Sequence, residues 1–292
     1  MPTQHAVPAN IDDIPGWLRP TDQRLINWLL SYQETQGVQG DLCELGAYLG
    51  KSAVLIGAHV QPGEKFTVCD LFDSPAPNEA NAVEMLRSYA TLTRSTFERN
   101  YLAFHDHLPA IVEGPTSTIG EHVAAGSCRF VHVDASHHFG HVSVDVASAR
   151  AMLQPDGVVV FDDYRAAHTP GVAAAVWFAI RDDGLCPVWI SPNKMYATWG
   201  DPTALRKALA EWLTDQPDSA WSDHDVAGHR IVQIADWPAK PSAPPAPAPP
   251  PSPPSRRPKH PIIVDLLPPA VTRALRAARR RRDIRRRGEA PG

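Results

Sequence analysis

The sequence lacks the long apolar runs and the leader that would place it in or across a membrane. No apolar stretch approaches the roughly 18 residues that a spanning helix needs, and residues Met1 to Pro15 have neither a basic start nor an apolar stretch. The four cysteines are widely spaced, at positions 43, 69, 128 and 186. We therefore expect reduced thiols in the core of a cytoplasmic protein, with a disulfide or a zinc site as the alternative.

Two common nucleotide-binding motifs are also missing. Residues 44–50, ELGAYLG, do not have the G-x-G-x-x-G spacing of a dinucleotide site. The sequence Gly50-Lys51-Ser52 lacks the spacing of a phosphate-binding P-loop, and there is no clear Tyr-x-x-x-Lys pair. These absences disfavour a nicotinamide-dependent oxidoreductase, which remains one alternative function.

Charge and proline are unevenly distributed along the 292 residues. From Ala239 onward there are 13 Lys plus Arg and three acids, whereas the preceding part carries a net charge of −14. The stretch 238–269 holds 14 prolines, a composition typical of an extended, solvated linker. The sequence thus predicts a domain over 11–237, a Pro-rich linker over 238–269 and a basic, Arg-rich tail over 270–292.

The basic tail has three open interpretations. Its arginines could lie on an anionic membrane surface, giving a cytoplasmic protein with peripheral membrane association. They could contact nucleic-acid phosphates, although no aromatic residues are interleaved with them. They could also be a solvated, disordered segment. A non-enzymatic tether with a degenerate domain and a binding tail is therefore the second alternative function.

Four short apolar runs each end in a carboxylate. They end at Glu44, Asp70, Asp134 and the pair Asp162-Asp163. If the runs are neighbouring parallel strands, their carboxyl ends meet at one edge, where open α/β sheets bind ligands. Crowded carboxylates are costly unless they bind hydroxyls or a cation, so this edge is predicted to be the site.

The pattern of strands and helices predicts a Rossmann-like doubly wound sheet with helices on both faces. Strands are expected over 41–45, 65–69, 110–113, 129–133 and 158–161, and a final antiparallel pair over 187–191 and 194–199. Helices are expected over 21–36, from the glycine loop through His59, and over 142–153, 171–181 and 203–213. A turn is expected at 155–157, and a last segment of secondary structure over 230–234. The stretch 78–107 is either a lid or a crossover helix.

The glycine turn after the first strand resembles the first motif of class I S-adenosylmethionine-dependent methyltransferases, E-L-G-x-x-x-G. The resemblance implies that Glu44, Gly46, Tyr48, Gly50 and Ser52 contact the cofactor, S-adenosylmethionine. Asp70, at the end of the second strand, is expected to accept hydrogen bonds from the ribose hydroxyls. The alternative for this residue is an aspartate that caps the loop.

Two downstream motifs are similar to those of the bacterial group that includes macrolide and aminocoumarin sugar O-methyltransferases. They are VDASHHF at 133–139 and LQPDGVVVFDDY at 153–164, and the similarity spans roughly 41–199. It implies methyl transfer to a hydroxyl of a small molecule, a sugar or a glycosylated or polyketide-type metabolite. It also implies that Asp134 lies between the cofactor and the acceptor, as both a cofactor-binding and a catalytic residue.

In the metal-dependent members of that group, the positions of Asp134, Asp162 and Asp163 bind a divalent cation. Three carboxylates suit Mg²⁺, which would hold the acceptor hydroxyls. In the alternative, metal-independent interpretation, one of the two adjacent acids caps the next segment and the other pairs with Arg165.

The sequence departs from the sugar methyltransferases at Ser136, where a second aspartate often serves as the base. His137 is the predicted replacement, because an imidazole can accept the hydroxyl proton near neutral pH. The alternative is a structural histidine that caps a helix or packs its ring. His132 is expected to be buried and hydrogen-bonded, and Lys194 and Tyr196 are expected to be core or edge residues.

Overall fold

The computed structural model of the protein describes residues 7–75 and 92–236. The chain divides into a compact unit over Met1–Lys240 and a second unit over Pro241–Gly292. The predicted linker and tail lie outside the described residues, as do residues 78–91 of the stretch 78–107. The limits of the domain, 11 and 237, therefore remain predictions.

Six α-helices and nine strands make up the described fold. The helices are α1 (Pro20–Thr35), α2 (Lys51–Gly57), α3 (Arg94–Leu102), α4 (Phe139–Met152), α5 (Pro170–Asp182) and α6 (Thr203–Thr214). The strands are β1 (Asp41–Leu45), β2 (Phe66–Asp70), β3 (Ala110–Glu113), β4 (Cys128–Val133), β5 (Leu153–Phe161), β6 (Cys186–Ile190), β7 (Met195–Thr198), β8 (Trp221–Val226) and β9 (His229–Ile234). Short 3₁₀ helices lie at Ile11–Asp13 and Thr116–Glu121.

All nine strands form one sheet in the order β3-β2-β1-β4-β5-β7-β6-β9-β8. The first five strands along the chain pair in parallel. Strand β7 is antiparallel to both β5 and β6. The order reverses direction between β1 and β4, and the carboxyl ends of these strands meet at the edge where such sheets bind ligands.

Helices cover both faces of the sheet, which confirms the doubly wound prediction. One core contains the buried sides of α1, α2, α3 and α6, with Leu25, Phe97 and Leu209 among its members. The other contains the buried sides of α4 and α5, with Val146 and Val176. The four cysteines are unpaired, and three of them are buried. Among the described helices, none is both long and apolar enough to cross a bilayer.

The structure differs from the sequence-based prediction at two places and favours one of two alternatives at a third. Strand β5 begins at Leu153, but its pairing with β4 shifts register between Leu153 and Val158, so residues 155–157, predicted as a turn, form an irregular, unpaired part of the strand. Strand β8 was not predicted, because it is an edge strand with an almost fully exposed polar sequence and no apolar alternation. In the stretch assigned to a lid or a crossover helix, α3 buries Phe97 and Tyr101 in the core, as a crossover helix does.

Candidate active site

A cavity of about 410 Å³ lies at the carboxyl ends of the central strands. Its walls come from three parts of the chain: the glycine loop after β1, the acids that follow β4 and β5, and the segment that precedes α1. The predicted site residues that line it are Gly46, Tyr48, Ser52, Asp134, His137, Asp162 and Asp163. Glu44, Gly50 and Asp70 lie behind this lining.

Gly46 allows the glycine loop to pass very close to the chain after β4. Its φ is +81°, and a Cβ at this position would lie 2.0 Å from the carbonyl oxygen of Asp134. The Asp134 amide in turn donates to the carbonyl of Leu45, at 2.7 Å. Any side chain here would separate the loop from Asp134, so the glycine is required by the packing of two walls of the cavity.

Asp70 holds the glycine loop in place. Its Oδ2 accepts the backbone N–H groups of Ala47 and Tyr48 at 2.7 and 3.0 Å, and its Oδ1 accepts that of Phe72 at 3.0 Å. A carboxylate has about four acceptor positions, and three are used here. The side chain is therefore arranged as the loop-capping alternative describes, and little capacity is left for the two ribose hydroxyls expected of it.

The loop ends in two residues of left-handed backbone conformation. Tyr48 has φ +49° and Gly50, which precedes α2, has φ +93°. The Tyr48 ring stacks on Trp17 with centroids 5.2 Å apart. Trp17 is 63% exposed although it lines the cavity. The two rings form an aromatic wall that the sequence did not predict.

Glu44 does not reach the cavity. It is fully buried, and its Oε1 lies 2.8 Å from Nδ1 of His132, which is also fully buried. This agrees with the expectation that His132 is a buried, hydrogen-bonded residue. Glu44 can contribute to a cofactor site only by supporting the strands beneath it.

The first acid after β5 is paired with a buried lysine. Nζ of Lys194, which is 1% exposed, lies 2.5 Å from Oδ2 of Asp162 and 3.0 Å from Nε2 of His132. Burial opposes ionisation of Asp162, but the ammonium outweighs it and lowers the pKa of that carboxyl. Burial and the charge of Asp162 raise the pKa of Asp134 well above its usual range. Asp134 therefore holds its proton more readily than Asp162 does.

The second acid after β5 is paired with the predicted base. Asp163 Oδ2 lies 2.8 Å from Nε2 of His137. Asp163 has φ +54°, its N–H donates to Oδ1 of Asp162 at 2.7 Å, and its carbonyl accepts the hydroxyl of Thr169 at 2.9 Å. A carboxylate held in this way fixes the orientation of the imidazole. Neither Asp162 nor Asp163 makes the ion pair with Arg165 that the alternative considered; Arg165 donates to the carbonyl of Ser191.

The three predicted metal ligands do not form one donor set. Asp163 faces His137, and the described residues instead bring together His132, Asp134 and Asp162, with one ligand atom of each within 4.8 Å of the others. Two of these three already contact the Lys194 ammonium. The residues as arranged therefore do not fit a divalent cation.

The residues do fit S-adenosylmethionine. The cavity volume lies within the range of about 300–1,000 Å³ that small-molecule sites occupy. Its lining combines exposed loop backbone at 46–48 with an aromatic wall and acids. Because Gly46 has no side chain, the backbone of the loop is open to contact with a ligand in the cavity. Negative charge suits the sulfonium group of that cofactor.

Several residues in and beneath the cavity could not be recognised from the sequence. Lys194 follows a short Ser-Pro-Asn turn that carries no motif, and lysine is rarely buried without a partner. The residues of the cavity lining that were missed include Trp17, Arg19, Lys51, His168 and Asn193. Trp17 and Arg19 belong to a loop before α1 with no periodicity, so only the tertiary structure brings them to the site.

Comparison with known proteins agrees with a site for S-adenosylmethionine. Residues 43–164 match the family model described as a methyltransferase domain. Among solved structures, the O-methyltransferase NovP is 19% identical, with a TM-score of 0.51 over 62% of this chain and 81% of that one. CalS11, a TDP-rhamnose 3'-O-methyltransferase, is also 19% identical, over 63% and 82% of the two chains, with a TM-score of 0.42. Among curated proteins, none matches this chain.

The family match begins inside β1 and ends just after β5, so it contains the glycine loop, Asp134, His137 and the two acids after β5. The likeness to NovP shows that the two proteins share a fold around this segment. Residues 43–164 of the chain are therefore similar to a methyltransferase domain, and the described fold around them is that of a solved O-methyltransferase.

Proposed function

We propose that the protein methylates a hydroxyl oxygen of a small molecule, a sugar or a glycosylated or polyketide-type metabolite, with His137 as the general base. The observation that carries the proposal is the His137–Asp163 pair at 2.8 Å in the wall of the cavity. The acceptor class follows the sequence resemblance at 133–164. Glu44, Gly46, Tyr48, Gly50, Ser52, Asp70 and Asp134 form or support the cofactor half of the site in this proposal.

S-adenosylmethionine, when bound, supplies an activated methyl group on a sulfonium. The acceptor oxygen forms a bond to that methyl carbon while the carbon–sulfur bond breaks, which gives a methyl ether and S-adenosylhomocysteine. The hydroxyl proton passes to His137, and Asp163 stabilises the imidazolium that results. The aromatic wall and the segment before α1 hold the acceptor in line, since positioning contributes much of the rate in such a displacement.

Calorimetry with S-adenosylhomocysteine is the first test. We expect one site per folded chain, and a rise in melting temperature with S-adenosylmethionine but not with NAD. Methyl ether formation is then sought by mass spectrometry over a panel of glycosides and sugar nucleotides. A folded protein that binds NAD and not S-adenosylhomocysteine contradicts the proposal and favours the oxidoreductase.

Two sequence-based assignments stay with this proposal. The methyltransferase domain is taken to end near 237, and the basic tail 270–292 to lie at an anionic membrane surface, since each basic residue adds about 1 kcal/mol there. The charge of this part of the chain supports the second assignment. Magnesium assistance, which the resemblance implies, is not part of this proposal, because the site as arranged does not fit a divalent cation.

A further inference from the structure

The acidic centre of the sheet edge already holds a positive charge. Lys194 Nζ contacts Oδ2 of Asp162 at 2.5 Å and Nε2 of His132 at 3.0 Å. These are two of the three residues whose ligand atoms lie close enough together to hold an ion. The ammonium therefore lies where a cation bound by this group would lie.

The position of Lys194 is fixed by the turn between β6 and β7. The Ser191 hydroxyl accepts the N–H of Lys194 at 2.8 Å, and the Ser191 amide donates to the Lys194 carbonyl at 2.9 Å. The lysine side chain is 2% exposed and that of Asp162 is 9% exposed. Displacing the ammonium would leave a buried charge without a partner, which is strongly unfavourable.

The same ion pair is connected to the predicted base. Asp162 uses Oδ2 for Lys194 and Oδ1 for the N–H of Asp163, and Asp163 in turn contacts His137. An Asp162 side chain without its cation partner would be free to turn, and the hydrogen bond that orients Asp163 would weaken. Lys194 is thus a positioning residue for the His137–Asp163 pair.

We propose that Lys194 replaces the divalent cation at this site, so that the protein works without a metal and its acidic centre binds one only when the lysine is removed. The role in catalysis rests on the proposed function, whereas the binding of metal does not.

The test is a titration of Mn²⁺ into the full-length protein, followed by the paramagnetic signal of the free ion. We expect the wild type and Asp162→Asn to bind Mn²⁺ equally weakly, through surface acids only. Lys194→Ala should gain one site at least about ten-fold tighter, a difference of about 1.4 kcal/mol, and the double variant with Asp162→Asn should lose it. Lys207→Ala, which removes an exposed lysine on α6, is the matched control and should gain no site.

A wild-type site that Asp162→Asn or Asp134→Asn abolishes overturns the proposal, as does a folded Lys194→Ala that gains none. If Lys194→Ala does not fold, the wild-type titration decides by itself. In turnover, EDTA should leave the wild-type rate unchanged, and Mg²⁺ should restore part of the rate lost in Lys194→Ala, which a purely structural lysine would not allow. Binding of S-adenosylhomocysteine is measured separately, so failure of the proposed function is recognised independently.

Discussion

At the scale of the residue, each acid of the sheet edge has its own partner. Asp162 faces Lys194, Asp163 faces His137, and Asp70 faces the backbone of the glycine loop. The sequence could predict that these acids converge, since each ends an apolar run. It could not predict the partners, because Lys194 comes from a turn some thirty residues further along the chain. Side-chain direction at a strand end depends on local backbone conformation, such as the positive φ of Asp163.

Replacing the predicted base tests its role directly. His137→Gln should lower kcat by about 10²- to 10⁴-fold, the usual contribution of general base catalysis. The affinity for S-adenosylhomocysteine should change little, because the cofactor half of the site remains intact. Calorimetry and steady-state kinetics provide the two measurements, and His122→Gln, at an exposed position, is the control. Normal turnover by His137→Gln would assign the proton to another group.

A buried carboxyl away from the cavity gives a prediction about stability. Asp145 on α4 is 1% exposed, and burial raises the pKa of its carboxyl from 3.8 to about 7, against a smaller lowering by the Thr116 hydroxyl. As the pH rises, the carboxyl ionises at a lower pH in the unfolded chain than in the folded one. The free energy of unfolding is therefore highest below about pH 4, and part of it is lost as the pH rises through 7.

Asp145→Asn should therefore be more stable than the wild type at pH 8, by a few kcal/mol at most, because each pKa unit corresponds to about 1.4 kcal/mol. The advantage should shrink as the pH falls towards 4. Urea unfolding at several pH values measures it, with the exposed Asp156→Asn as the control. A variant that is less stable than the wild type at every pH contradicts the prediction.

At the scale of the element, the glycine loop is the part most closely predicted from sequence. Its position after β1, its two left-handed glycines and its place in the cavity wall follow from the pattern in 44–50. The hydrogen bonds of Asp70 are those of the loop-capping alternative, because three backbone N–H groups donate to its carboxylate. Backbone donors of this kind leave no trace in a sequence, since every residue but proline carries one.

The two interpretations of Asp70 predict different results for Asp70→Asn. If the carboxylate caps the loop, the protein without cofactor should lose about 1–3 kcal/mol of stability, because one N–H group loses its acceptor. If it binds only the ribose, stability without cofactor should stay unchanged and only the affinity for S-adenosylhomocysteine should fall. Thermal unfolding with and without that ligand distinguishes the two. Asp73→Asn, which removes a surface acceptor of the Arg94 N–H, is the control.

At the scale of the whole molecule, the order of strands was predictable and the closing hairpin was not. Parallel strands joined by helices leave few topologies, because their crossover connections are nearly always right-handed. Strands β8 and β9 extend the sheet beyond β6 by backbone pairing, with β8 almost wholly exposed. Such an edge strand has no buried face to impose an apolar pattern on its sequence.

Removing the basic part of the chain tests the predicted domain organisation. A protein that ends at residue 238 should keep its melting temperature and its affinity for S-adenosylhomocysteine, because the compact unit ends at Lys240. It should lose sedimentation with vesicles that contain phosphatidylserine, which the full chain should show at low salt. Equal sedimentation of both proteins contradicts the membrane assignment. If only the full chain binds nucleic acid, the result favours the interpretation in which the tail contacts nucleic-acid phosphates.

The segment that carries Trp17 and Arg19 lies outside the part of the chain that the family model matches, yet it closes one side of the cavity. Leu18 between them is buried in the core, but Trp17 and Arg19 are themselves exposed, so the side chains at these two positions can change without disturbing the sheet or the acids beneath it. Selection for a new acceptor could therefore act on these residues before α1 while the methyl-transfer chemistry stays constant. A search that aligns only the shared domain would group such enzymes together and overlook the residues that divide them by substrate.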